Sequence, residues 1–211
     1  HALLMLSIAA AAAAPPTSLL PRPVNPAGWI SYSDYPPPAL RAGIQGTTWF
    51  DVFVDPIGKP FACRTILSTG NTDLDQLSCA LMLARSRFEP AQDDLGVPIA
   101  GAFRRSITWS IPEYRAPPKA DMPADAVITV NALPNATKGS VLVRLVEAAD
   151  GKVESCAVEK TSDDAQLDGL ACAQASKAKF QDPIKGDDEA PIRAVRLRKI
   201  TFITAPLTPD S

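Results

Sequence analysis

The sequence predicts an α+β protein built of two tandem small modules, each strand–strand–helix–strand with one helix packed on a small antiparallel sheet. Three observations carry this expectation. Short β-branched and aromatic runs flank a single helical stripe. The landmarks of the first half recur in the second at a constant shift. Four cysteines form two pairs with the same internal spacing, one pair in each half.

In the first half, Thr47 to Asp55 (TTWFDVFVD) reads as a strand. Asp55-Pro56-Ile57-Gly58 is turn chemistry. Phe61 to Leu67 returns as the second strand of a hairpin. Thr72-Asp73-Leu74-Asp75 approximates a capping box. Behind it Leu74, Leu77, Leu81, Ala84 and Phe88 recur at spacings of three and four, one face of a helix. Glu89-Pro90 is expected to end that helix, because proline disfavours helix in the residue before it. Phe103, Ile107 and Trp109 fall on one side of a third strand. The second half repeats the order with Val141 to Glu147, Ser155 to Lys160, a helix from about Asp164 to Phe180, and Ala194 to Ile203.

The repeat rests on particular positions. Gly46 falls on Gly139, Gly58-Lys59 on Gly151-Lys152, Cys63 on Cys156, Leu74-Asp75 on Leu167-Asp168, and Cys79 on Cys172. Ile107-Thr108-Trp109 falls on Ile200-Thr201-Phe202. Proline-rich stretches set the expected boundaries. Residues 1–14 read as a signal peptide, 15–34 as a spacer, 35–113 as the first module, 114–124 as a linker, 125–204 as the second module and 205–211 as a tail. The apolar leader is too short to span a bilayer, so export to the periplasm is expected, with an inner-membrane anchor as the alternative.

Four cysteines allow three pairings. The repeat favours Cys63 with Cys79 and Cys156 with Cys172, and an exported chain is in the right compartment for disulfides. No two cysteines are close enough in sequence for a usual structural zinc site, and there is no Cys-x-x-Cys. No metal and no cofactor are expected.

The function classes narrow further. A formal net charge of −2 and a pI near 5.4 give no basic field, so no nucleic-acid partner is expected. The single histidine is His1, in the leader, which removes Ser-His-Asp and Cys-His catalysis. Asp93-Asp94 and Asp187-Asp188-Glu189 read as solvated turns, and Asp163-Asp164 as charge at a helix N-terminus. Arg104-Arg105 and Arg193 to Lys199 read as the solvent side of the last strand of each module. The chain is expected to be a binding protein, not an enzyme.

The first half resembles the TonB C-terminal domain family over about Tyr35 to Pro112. Its opening from Tyr35-Pro36 through Ala39 to Gly46 resembles that family's Tyr-Pro-x-x-Ala start and the glycine before the first strand. The turn ending in Gly58, the Ser68-Thr69-Gly70 before the helix and the Phe88-Glu89-Pro90-Ala91 exit resemble further family motifs, and the paired cysteines resemble a cysteine-containing branch. The second half lacks the Tyr-Pro opening and the Ser-x-Gly. The resemblance implies a periplasmic domain that contacts outer-membrane TonB-dependent transporters and captures an extended segment by strand addition. The candidate edge is the last strand, Ala102 to Ile111, with Phe103, Ile107 and Trp109 backing it and Arg104 and Ser106 facing the partner. A membrane-spanning segment and a long periplasmic arm, as a full energy transducer needs, are not expected. Two alternatives stand beside this reading: an envelope adaptor or homodimer that pairs its own sheet edges, and a transducer truncated at its N-terminus.

Overall fold

The computed structural model describes residues 19–204, apart from 132, 134–138, 179, 181, 182 and 187. The expected leader, the tail and the central residues of the second helix exit lie outside the described residues. In chain order the elements are β1 (Arg22–Pro23), a 3-10 turn (Tyr32–Asp34), α1 (Pro37–Arg41), β2 (Gly46–Val54), β3 (Pro60–Leu67), α2 (Thr72–Arg85), β4 (Phe88–Glu89), β5 (Ala91–Gln92) and β6 (Pro98–Trp109). After the linker come β7 (Ala126–Val130), β8 (Ser140–Glu147), β9 (Val153–Lys160), α3 (Ala165–Ala175) and β10 (Ala194–Thr204). The α+β class holds. Each half has the strand–strand–helix–strand order, and within each half the three main strands pair antiparallel.

The halves are not separate sheets. Their strands run β3-β2-β6-β10-β8-β9 in one sheet, a palindromic order in which β6 meets β10 in parallel. Only Ala100↔Ala194 and Gly101↔Val195 pair there. A Cβ on Gly101 would lie 2.7 Å from Ala91 Cβ and from Pro21 Cγ, so this crowded point requires glycine. The helices lie on opposite faces. Phe50, Val52 and Val54 of β2 pack with Met82 of α2. Phe53 points the other way, into a cluster with Ala100, Ala102, Ile184 and Ala194. Ala194 shares its side of β10 with Ile200 and Phe202, which pack beneath Leu167, Ala171 and Ala175 of α3.

The helix starts differ from expectation. Asn71, not Thr72, caps α2, its Oδ1 accepting the Leu74 amide at 3.0 Å. Asp164 does the same for Leu167 at 3.0 Å. Ser68 Oγ donates to Asp75 and accepts the Gly70 amide at 2.9 Å. In the second half Thr161 Oγ1 donates to Asp168 and accepts the Asp163 amide at 2.9 Å. Gly70 has φ 89° and Asp163 has φ 69°. Thr161-Ser162-Asp163 therefore builds the turn that Ser68-Thr69-Gly70 builds, because aspartate tolerates the left-handed region. The sequence motif is lost while its geometry is kept. The α2 exit also shifts. The helix ends at Arg85, capped by Ser86, and Phe88 belongs to β4.

The described part of the expected spacer, residues 19–34, is packed rather than extended away. Leu19 pairs with Gln92, and Arg22 and Pro23 pair with Glu89 and Phe88. Trp29 is buried, with its ring 5.3 Å from Phe88.

Both bridges join the expected partners, Cys63 to Cys79 and Cys156 to Cys172, with Cα atoms 5.5 and 5.7 Å apart. Each ties the helix to the second strand of its hairpin. Closing a loop of this size stabilises by about 3 kcal/mol. Cys79→Ser is expected to lower the denaturation midpoint accordingly under non-reducing conditions. An unchanged midpoint would remove the bridge from the fold's stability.

Candidate functional site: the open edge of the first half

The last strand of the first half, β6, is bonded along one side to β2 from Gly101 to Trp109. Pro98 and Ile99, before that ladder begins, pair with β5. On its other side Ala100 and Gly101 pair with β10. From Ala102 onward no strand among the described residues pairs with that side.

At the start of that stretch sits a buried ionic cluster. Arg104 makes two-pronged contacts with Asp51, at 2.8 and 3.0 Å, and with Asp125, at 2.6 and 3.1 Å. Arg198 reaches Asp125 at 3.1 Å and Glu147 at 3.0 Å. Arg196 lies 3.5 Å from Glu147 and 3.7 Å from Asp51. All six side chains are at most 8% exposed. Three buried guanidiniums face the three carboxylates, and the partly exposed Arg64 adds a fourth 3.3 Å from Asp51. Asp51 and Arg104 belong to the first half, Glu147, Arg196 and Arg198 to the second, and Asp125 to the connection. The cluster thus joins the halves beside the short β6–β10 contact.

This corrects three expectations. Arg104 does not face a partner, and Arg196 and Arg198 do not face solvent. Asp93 is buried and bonded to Arg193 at 2.8 Å rather than solvated, and that bond holds its carboxyl below the ordinary range. The pattern was readable in part. Arg196 and Arg198 share their side of β10 with Ala194, Ile200 and Phe202, so two charges stand on an apolar face. The run from Thr47 to Val54 carries large apolar residues on both faces, with Asp51 on the face of Trp49 and Phe53, which marks a strand covered on both sides. Neither signal names the partners, because those lie on other strands and on the connection, far apart in sequence.

Beyond Arg104 the edge is open. Arg105 to Ser110 line a groove of about 360 Å³, walled by Ile30, Ser31, Tyr32 and Tyr35. Six consecutive residues lining one groove place the strand edge-on to it. Ile107 packs toward the α2 core, as does Phe103, whose ring is 5.0 Å from Phe88. Trp109 is buried and donates from Nε1 to Ser78 Oγ at 2.9 Å, with Tyr35 edge-on at 5.1 Å. Ser106 lies on the opposite face, where Thr47, Trp49, Thr108 and the linker bound a second groove of about 670 Å³. Trp49 Nε1 fastens that linker by donating to Ala120 O at 2.8 Å.

The motif residues build the scaffold around this edge. Tyr35 is buried and its hydroxyl donates to Ile44 O at 2.5 Å. Pro36 precedes α1, and Gly46 opens β2 where a Cβ would lie 2.6 Å from Thr69 O. Gly58, at φ 85°, lies against Phe88 and Pro90.

Residues 31–111 match the family model of the Gram-negative bacterial TonB protein C-terminal. No curated protein and no solved structure matches the chain. The TonB C-terminal domain is a non-catalytic, periplasmic protein-interaction domain. The matched span contains β2, β3, α2 and β6, and hence the whole open edge. Among the described residues no helix is long and apolar enough to cross a membrane, and no group of three or more His, Cys, Asp or Glu could hold a metal ion.

Asp125 provides a test of the seam. Burial alone would raise its carboxyl, but hydrogen bonds and charge from Arg104, the Lys199 amide and the Arg198 charge outweigh that and lower it. A carboxyl depressed on folding stabilises fully above its unfolded value, about pH 3.9, and that stability is lost as pH falls through the folded value. Asp125→Ala is expected to cost about 3 kcal/mol at neutral pH, since it removes one partner from buried ions. It should also flatten the fall in urea midpoint below about pH 4. A variant with unchanged midpoint and unchanged acid slope would contradict this account of the cluster.

Proposed function

We propose that the protein is a periplasmic binding module that takes an extended segment of an outer-membrane transporter as an added strand along Arg105–Ser110, the end of β6 and the residue that follows it. The observation that carries this is the open stretch of strand edge inside the span that matches the TonB C-terminal model. An edge strand offers unpaired N–H and C=O groups at regular intervals. Backbone hydrogen bonds then supply affinity, and the flanking groove selects side chains. Signal-peptide export and a duplication that produced the two halves belong to the same reading. The palindromic strand order and the matching turns at Asp75 and Asp168 support the duplication.

One observation favours a second reading, an envelope adaptor that pairs sheet edges. The first half already uses part of its edge to pair with the second half, at Ala100 and Gly101.

The two readings separate in one experiment. The oxidised chain from Pro15 is immobilised, and detergent-solubilised outer membrane from its host is passed over it. Retention of a β-barrel transporter, lost when its N-terminal periplasmic extension is removed, is the expected result. Recovery of only soluble envelope proteins or of the chain itself would overturn the transporter reading in favour of the adaptor.

A further inference from the structure

The two halves treat the same edge differently. In the second half β7 lies along β10 in parallel, from Ala126↔Ile200 to Val130↔Thr204. Ile200-Thr201-Phe202 are the residues onto which Ile107-Thr108-Trp109 fall. The edge that is open on β6 is therefore occupied on β10.

What occupies it corresponds to the wall of the open groove. By the shift that sets Phe202 on Trp109, Ile128 falls on Tyr35. The contacts agree: Ile128 pairs with Phe202, and Tyr35 stacks edge-on against Trp109. The segment before each hairpin thus approaches the last strand of its own half. In the second half that segment is Ala-Val-Ile-Thr-Val, which is β-forming and has every amide available for pairing. In the first it runs into Pro36-Pro37-Pro38. Proline has no N–H to donate to a ladder, so this stretch turns into a 3-10 turn and α1 instead. Ser31 fixes the turn, its amide bonded to Asp34 at 2.8 Å.

We infer that the chain carries one strand-accepting site rather than two: the second half is closed by its own β7, and the open edge of β6 fits a parallel extended segment with apolar side chains at alternate positions. In β7 those positions are Ala126, Ile128 and Val130, which pack into the α3 core, while Val127 is exposed. On β6 the corresponding side chains would meet Ile30, Tyr32, Tyr35 and Ile107. The inference rests on the strand-addition reading and adds its direction, side-chain pattern and stoichiometry.

The test uses the full chain and a synthetic peptide of residues 125–131, DAVITVN, with amide hydrogen exchange as the readout. Without peptide, alternate amides within Arg105–Ser110 should exchange freely while the amides of Ile200–Thr204 are protected. With peptide, Arg105–Ser110 should slow severalfold and saturate at one peptide per chain, and a peptide with proline in place of Ile128 should have no effect. Peptide that leaves Arg105–Ser110 unchanged, or a resting β10 edge that exchanges as fast as that of β6, would overturn the inference. Saturation at two peptides per chain would overturn the single site. Protection by peptide with no transporter retained would sink the transporter and leave the site intact. A transporter retained without protecting Arg105–Ser110 would sink the inference and strand addition at this edge, and leave transporter binding standing.

Discussion

The arrangement depends on the burial of Arg104. A guanidinium cannot be deprotonated to escape the cost of dehydration, so it is buried only where fixed carboxylates meet it. Asp51 meets it from the neighbouring strand and Asp125 from the connection between the halves. Asp125 also holds Arg198, its amide donates to Lys199 O, and its carboxylate accepts the Lys199 amide. These contacts bring the connection between β6 and β10 just where their short ladder ends. The connection then continues as β7. The ionic cluster therefore fixes both where the shared sheet stops and where the open edge begins.

A sheet edge is a liability unless it is paired, covered or given a partner. Here the choice follows from local chemistry. Five residues free of proline let the second half cover its edge. Three consecutive prolines deny the first half the same solution and turn the chain into a wall beside the edge. The groove is thus a consequence of proline at one segment, with Trp109 and Tyr35 holding that segment at a fixed distance from the strand.

The legible parts of the fold were those set by local periodicity and turn chemistry. The hairpin of Thr47 to Leu67, the helix behind Leu74 and the cysteine pairing all read directly, because each depends on residues within one half. Helix ends were less legible. Asn71 sits just before a Thr-x-x-Asp that imitates a capping box, and Ser86 ends α2 before the proline does. The turn at Thr161-Ser162-Asp163 escaped because aspartate took glycine's place at positive φ. The seam was hidden for another reason. Arg104, Arg196 and Arg198 have the composition of a solvent-facing side, and only the joining of two halves in one sheet makes that side interior. The edge strand was readable, but its division into paired, ion-anchored and open stretches was not.

Small modules of this kind have little interior to work with, and the devices in each half reflect that. The disulfide clamps the helix to the hairpin, and the carboxylate of Asp75 or Asp168 organises the turn into the helix. Neither device involves the last strand. The last strand is held instead by its pairing with the first strand of its own hairpin and by the seam. This division leaves the outer side of β6 with no structural task beyond Arg104. A segment added there would meet a strand whose core face is already packed by Phe103, Ile107 and Trp109, so little ordering of the acceptor would accompany binding. Preorganisation of this kind spares the acceptor's share of the entropic cost of binding, so that only the ordering and docking of the extended ligand have to be offset.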